Sequence, residues 1–333
     1  MKAVRVPKRE AEPVRKLAEK SGAKDKNRLV VQRGDYVEIP IYDGFEHLFT
    51  GYEIVEQVEP VFARRKDLFD VLKRKIPEEY HRYIPRRYKI LGDIILIKIP
   101  DELEEFKELI GKTLLEINPR CKAVWRDKGK EGMLRRPNVE LIAGSGSETV
   151  HRENGCLFKL DVTKVMFSPG NLAERARMGR IVEDGEVIVD MFAGIGYFSI
   201  PMAVHSNPKR VYSIEINPDS YAYLLENIKL NNVDRIVPIL GDSMHVTPEG
   251  VADRVVMGHI RCHEFLPVAI RALRGEGIIH YHESTPEAVL DRPVERVKKA
   301  AEMEGKRVKI LEFRKVKNYS PGVLHVVVDA LIY

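Results

Sequence analysis

Glu186-Val-Ile-Val-Asp-Met-Phe-Ala-Gly-Ile-Gly-Tyr197 reads as a buried strand, a glycine turn and the start of a helix. Gly194 and Gly196 allow positive φ and a close approach of backbone to ligand. Glu215 closes the next apolar strand, where a carboxylate accepts both hydroxyls of a ribose. Asp242, in Leu240-Gly-Asp-Ser243 after the apolar run Arg235–Leu240, stands where an acid accepts the amino hydrogens of adenine. A dinucleotide fingerprint would add a glycine three residues after Gly196, where this chain has Ser199, and nothing else calls for a pyrophosphate cradle. The spacing of turn and acids therefore points to S-adenosylmethionine.

Outward from this stretch, apolar strands alternate with amphipathic helical segments from Val187 to Asp329, the pattern of a doubly wound sheet. Strands are expected near 187–191, 210–215, 236–240, 253–257, 277–282, 307–316 and 323–332. The last two are joined by Lys317-Asn-Tyr-Ser-Pro-Gly322, too short for a helical crossover, so they must pair antiparallel. The fold class is α/β, a Rossmann-like methyltransferase fold with a seven-stranded mixed sheet, preceded by α+β N-terminal domains. Strands near 88–99 and 138–142 and a helix near 101–110 are expected upstream. The boundaries expected are 1–62 for a small N-terminal domain, 63–165 for an α+β linking domain and 166–333 for the catalytic domain, with 61–66 as a connector.

Among 333 residues, 44% are hydrophobic and 32% charged. The N-terminus, Met1-Lys-Ala-Val-Arg-Val-Pro-Lys-Arg-Glu10, lacks the apolar block of a secretory signal, and no apolar run reaches membrane-spanning length. A cytoplasmic protein is expected, with no membrane contact and no feature that demands an obligate protein partner. Cys121, Cys156 and Cys262 are scattered and odd in number, which excludes a disulfide framework. Residues 292–317 are rich in Lys and Arg, and Arg126-Asp-Lys-Gly-Lys-Glu-Gly-Met-Leu-Arg-Arg-Pro137 is basic and glycine-containing. Either a solvated face or a phosphate-contacting surface accounts for the first. In the second, Arg126, Arg135 and Arg136 are candidate contacts to an RNA backbone, with a surface hairpin as the alternative.

Several segments together resemble the archaeal and eukaryotic tRNA-modifying enzymes that act on the purine beside the anticodon. The N1-methyltransferases of guanine-37 share Phe167-Ser-Pro169, the Glu174-Arg175 helix, Asp190-Met-Phe-Ala-Gly-Ile-Gly196 and an acid like Glu215. They carry Asn-x-Pro at the end of strand four, where this chain has Met257-Gly-His259. With Ile279-His-Tyr-His-Glu283 and Tyr319-Ser-Pro-Gly-Val-Leu-His-Val-Val-Val-Asp329, that departure resembles the wybutosine branch. The resemblance implies transfer of the 3-amino-3-carboxypropyl group of S-adenosylmethionine to C7 of 4-demethylwyosine at position 37 of phenylalanine tRNA, with the anticodon loop as partner. An N1-guanine methyltransferase and a noncatalytic tRNA-binding protein with a retained cofactor fold are the alternatives.

On that reading Ser168 and Arg175 hold the methionine arm, a guanidinium suiting its carboxylate. Gly258 leaves room for the arm to rotate, and Asp190 orients the glycine loop or meets the amine through water. Ser243 adds a hydroxyl near adenine or caps a turn. Phe192 is counted with the cofactor side, while Tyr197 and Tyr319 stack on a splayed purine. His259 is the candidate proton acceptor. No metal is expected, because displacement at a sulfonium needs no Lewis acid; His263, Glu264, His280 and His282 are therefore read as ordinary polar residues.

Overall fold

The computed structural model describes residues 1–62, 67–132 and 136–333. The chain divides into two compact units, Met1–Val71 and Leu72–Tyr333. In the first, β1 (Lys2–Pro7) is followed by α1 (Ala11–Lys20), β2 (Val31–Arg33), β3 (Tyr36–Pro40) and β4 (Glu53–Glu56). The strands form an antiparallel sheet in the order β2-β3-β1-β4. Val4, Val6 and Ile39 of the sheet meet Val14 and Ala18 of α1 in one small core. A short helix, α2 (Leu68–Leu72), spans the division, which falls after Val71 and not near residue 62. Leu68 and Leu72 are buried, so this stretch is packed helix and not open linker. The expected connector lies mainly on residues 63–66, outside the described residues.

The second unit begins with β5 (Lys89–Leu91), β6 (Ile94–Ile97), α3 (Lys107–Ile117), β7 (Ala123–Glu131) and β8 (Arg136–Gly144), whose strands pair in that order. The stretch 88–99, read as one strand, is a hairpin turned at Gly92, where φ is +56° and a Cβ would lie 2.6 Å from the Val150 carbonyl. The helix expected at 101–110 starts as a 3-10 turn, Asp101–Phe106, and becomes α-helical only from Lys107. Next comes the hairpin β9 (Glu148–Glu153) and β10 (Cys156–Asp161).

The large sheet is built from α4 (Leu172–Ile181), β11 (Val187–Asp190), α5 (Ser199–His205), β12 (Arg210–Glu215), α6 (Pro218–Leu230), β13 (Ile236–Leu240), α7 (Ser243–Val246), β14 (Ala252–Met257), α8 (Leu266–Ala272), β15 (Leu273–Pro286), α9 (Arg292–Met303), β16 (Val308–Ser320) and β17 (Val323–Ile332). Its order is β13-β12-β11-β14-β15-β17-β16, and β17 runs antiparallel to both neighbours. The seven-stranded mixed sheet is thus present. β15 extends well beyond 277–282 because its ladder with β17 continues from Gly277 to Pro286.

Alternate strand residues feed two cores. Val189 and Val255 face one layer, with Ile279, Val297 and Ala301; Ile188 and Val256 face the other, with Phe167, Ile200 and Met202. The second core also takes in Leu91, Ile94, Ala123, Phe158 and Leu160. Residues 72–165 therefore share a core with the large sheet instead of forming a body of their own. Asn227 and Asn231 of α6 lock the hairpin from below: Lys159 N–H donates to Asn227 Oδ1 at 2.6 Å and Leu157 N–H to Asn231 Oδ1 at 2.8 Å. Among the described residues, no helix is long and apolar enough to cross a membrane.

Candidate functional site

Parallel strands end together at their carboxyl rim, the place where open α/β sheets bind ligands. Here the ends of β11, β12, β13 and β14 and the segment before α4 enclose a cavity of about 400 Å³. Ser168, Arg175, Phe192, Gly194, Tyr197, Glu215, Asp242, Ser243, Gly258 and His259 all line it. Most residues nominated from sequence are therefore brought together.

The glycine turn needs its glycines. Gly194 has φ +58° and a Cβ there would come 2.3 Å from the Tyr197 ring; Gly196 has φ +99° and would strike Ile200 at 2.5 Å. Glu215 fixes the turn from the next strand, accepting Gly194 N–H at 2.8 Å on one oxygen and Asn217 N–H at 2.7 Å on the other. Glu215 lines the cavity, and a carboxylate has acceptor capacity beyond these bonds. Burial raises the Glu215 carboxyl above its usual range, against the pull of these backbone bonds. Asp242 caps α7, accepting Met244 N–H at 2.9 Å.

Asp190 is fully buried and does not line the cavity. It accepts from Ser199 Oγ at 2.7 Å and from Phe192 N–H at 3.4 Å, so it organises the loop. Burial pushes its carboxyl up to about 6 even with the Ser199 bond pulling the other way. Ser243 donates to the Met191 carbonyl, tying the third loop to the first, so its hydroxyl is engaged with backbone and not aimed at adenine.

Three further residues differ from expectation. Arg175 gives a two-pronged grip to Glu153, through Nε and through an Nη at 2.7 Å, and its other arm donates to the Ser168 carbonyl at 3.0 Å. It also lies 4.8 Å over the Phe167 ring. The guanidinium lines the cavity, but its charge is already matched by a buried carboxylate. Tyr197 donates to the Met166 carbonyl and packs edge-on against Phe167, which makes it a fixed wall and not a free stacking ring. Gly258 is small for Phe198, whose ring would meet an added Cβ at 2.6 Å.

Outside the cavity, Tyr319 sits exposed near the end of β16 and does not line it. Arg126 belongs to β7 and is buried, held by Glu104 and by Asp101 at 3.0 Å, and its third contact is the Ile99 carbonyl at 3.0 Å. It is a structural residue, because those bonds occupy the fork that a phosphate would need. Arg136 opens β8 on the exposed surface, and Arg135 lies outside the described residues.

Sequence reasoning missed Asn171, Asn217, Ser220 and Arg261, which also line the cavity. Asn217-Pro218 after a strand is a helix N-cap followed by proline at the first turn, and Asn217 Oδ1 does accept Asp219 N–H at 3.0 Å. His280 and His282 lie elsewhere, in a buried polar network under β15–β17. His280 meets Asp329 at 2.6 Å through Nδ1 and Arg254 at 2.7 Å through Nε2, while Arg254 grips Glu186 and Asp329 also takes Arg177. His282 meets His325 at 3.0 Å and lies edge-on to Phe198. Among the described residues no group of three His, Cys, Asp or Glu could hold a metal ion.

Three family models match in succession: the tRNA methyltransferase 5 N-terminal domain over residues 3–49, the TYW2 N-terminal domain over 68–147 and the TRM5/TYW2 methyltransferase domain over 149–311. A tRNA(Phe) (4-demethylwyosine(37)-C(7)) aminocarboxypropyltransferase of Methanocaldococcus jannaschii is 47% identical over 247 residues, 73% of this chain and 97% of that protein. The tRNA (guanine(37)-N(1))-methyltransferase Trm5b of Pyrococcus abyssi is 38% identical over 332 residues, 98% of each. The crystal structure of P. horikoshii TYW2 in complex with MeSAdo superposes with a TM-score of 0.71 at 39% identity, covering 80% of this chain and 98% of that one. The chain belongs to the TRM5/TYW2 family.

Proposed function

We infer that this protein is an S-adenosylmethionine-dependent aminocarboxypropyltransferase that modifies C7 of 4-demethylwyosine at position 37 of phenylalanine tRNA. The observation that carries the reading is its 47% identity to an enzyme of that name over nearly the whole of that enzyme, higher than its identity to the guanine-37 methyltransferase. The cavity fits the donor: two carboxylates stand at one end and a glycine cradle with no room for a Cβ lies between.

In this reading Glu215 accepts the ribose hydroxyls and Asp242 the adenine amino group. Ser168 and the Glu153-paired Arg175 face the amino-acid arm. When bound, the donor supplies an electrophilic γ-carbon on sulfur, so the protein has only to align it with the base. Phe192, tilted against His259 with ring centroids 5.6 Å apart, offers the base an aromatic wall, and His259 takes the ring proton. Gly258 acts indirectly, by letting Phe198 close the pocket. Arg136 and Tyr319, both exposed, belong to the tRNA surface, with the anticodon loop bound by the second unit and the first unit as an accessory tRNA-binding domain.

The methyltransferase is the second reading, favoured by the match of residues 3–49 to the methyltransferase N-terminal domain and by full-length similarity to Trm5b. Incubation with tRNA and donor labelled in the methyl or in the carboxyl carbon separates the two. Carboxyl label in RNA supports the transferase; methyl label alone overturns it.

A further inference from the structure

The rim carries opposite charges at its two ends. In strand order, Asp242 follows β13, Glu215 follows β12, Gly194 follows β11, and Gly258 follows β14; beyond β15 and β17 comes β16 with Lys317. Because β17 is antiparallel to both β15 and β16, β16 runs in the direction of the parallel strands. Lys317, close to the strand end at Ser320, therefore emerges at the same rim. Its ammonium donates to Ser168 Oγ at 2.9 Å, and Ser168 lines the cavity. Gly170 makes the bed for it: a Cβ there would lie 3.0 Å from Lys317 Cδ and 3.1 Å from Nζ.

A sulfonium donor has the same polarity as this rim. Its adenosyl end offers hydroxyl and amino hydrogens, and its other end is a carboxylate. Arg175 is matched by Glu153. Arg261 also lines the cavity but follows His259 on the β14 loop, the side proposed for the base, and Lys164 is exposed beside Asp161, whose carboxyl it helps to hold down.

We propose that Lys317, through and beside the Ser168 hydroxyl, anchors the carboxylate of the donor's amino-acid arm and so positions that arm for transfer. Ser168 accepts from the ammonium and keeps its own proton for the carboxylate. The anchored carboxylate travels with the group that leaves sulfur. The electron pair of the Cγ–S bond stays on sulfur, giving neutral methylthioadenosine, while the base carbon forms the new C–C bond and loses its ring proton to a base. Lys317 does not itself line the cavity and acts on the arm through Ser168, so it sets direction without being consumed.

This rests on the reading of the cavity as a donor site, and methylthioadenosine, which has the adenosyl end but no amino-acid arm, separates the two. Calorimetric titration of the full chain with S-adenosylmethionine and with methylthioadenosine is the test, for wild type, Lys317→Ala and Lys317→Arg. Loss of one charge-assisted bond weakens S-adenosylmethionine about tenfold in the alanine variant. Methylthioadenosine affinity stays unchanged, and arginine restores most of the difference. Equal weakening of both ligands, or undiminished binding of S-adenosylmethionine to Lys317→Ala, overturns the proposal. Wild-type protein that binds neither ligand overturns the donor-site reading itself. Label transfer decides the reaction separately, since the affinity ratio needs no turnover.

Discussion

The two halves of the large sheet hold their polar groups in different ways. On the β11–β13 side each acid bonds to backbone or hydroxyl groups: Glu215 to Gly194 and Asn217, Asp242 to Met244, Asp190 to Phe192 and Ser199. In the network that reaches β15 and β17 charge is bonded to charge across long stretches of chain, from Glu186 before β11 through Arg254 of β14 and His280 of β15 to Asp329 of β17 and Arg177 of α4. The first arrangement leaves acceptor capacity for a ligand; the second spends its charges on one another, with His282 Nε2 and His325 Nδ1 buried and without a hydrogen-bond partner. One half is built to be completed by something else, and the other pairs its charges internally.

The contrast can be broken most sharply at Asp329. Burial works against its carboxylate, but the bond to His280 and the charges of Arg177 and Arg314 hold it down to about 2. Asp329→Asn strands those cations and costs about 3 kcal/mol in urea unfolding. A loss below about 1 kcal/mol would show the network to be replaceable. Next comes pH. Burial, and then the nearby Lys317 ammonium, lower His325 to about 4, and burial depresses its partner His282 well below the ordinary imidazole value. These rings are neutral when folded and charge more readily when unfolded. Stability is therefore full above about pH 6.5 and falls as pH drops toward about 4, by about 3 kcal/mol for a shift of this size. His325→Leu should make that slope shallower in acid denaturation, the remainder belonging to His282 and His280, and should leave the Asp329 window, between the ordinary carboxyl value of 3.8 and about 2, in place.

On the ligand half, Glu215→Ala removes both ribose acceptors and weakens S-adenosylmethionine and methylthioadenosine alike, about a hundredfold by calorimetry. Unequal weakening would place Glu215 on the wrong end of the donor. The smallest effect belongs to Gly258→Ala, which forces Phe198 aside and costs about 1.5 kcal/mol in thermal unfolding. Phe198→Leu in the same chain should recover part of it; no recovery would mean that something else occupies the space beside Gly258.

The ligand half was legible because its bonds are local. A strand, a glycine pair and an acid at the next strand end are short-range signals, and they located Gly194, Gly196, Glu215 and Asp242. The sheet itself was legible from alternating apolar runs and one short turn, down to the reversed β17. What the sequence hid is long-range pairing. Arg175 looked like a ligand residue because nothing nearby in the chain announces Glu153, and Arg126 looked like a phosphate contact because Asp101 and Glu104 reach it only after folding. Tyr197 looked exposed because the Met166 carbonyl that holds it belongs to another segment. Lys317 closed a basic stretch left open between a solvated face and a phosphate-contacting surface, and only the pairing of β16 with β17 brings it to the rim.

The placement of β17 bears on synthesis as well as on stability. Val323–Ile332 lies between β15 and β16, so the strand that fills the gap is translated after both of its neighbours. Until it emerges, β15 presents an open edge and β16 has nothing to pair with, and Asp329 cannot meet His280. A nascent chain in that state exposes unpaired apolar strand to whatever is nearby, a hazard that ends when the missing rung slides in.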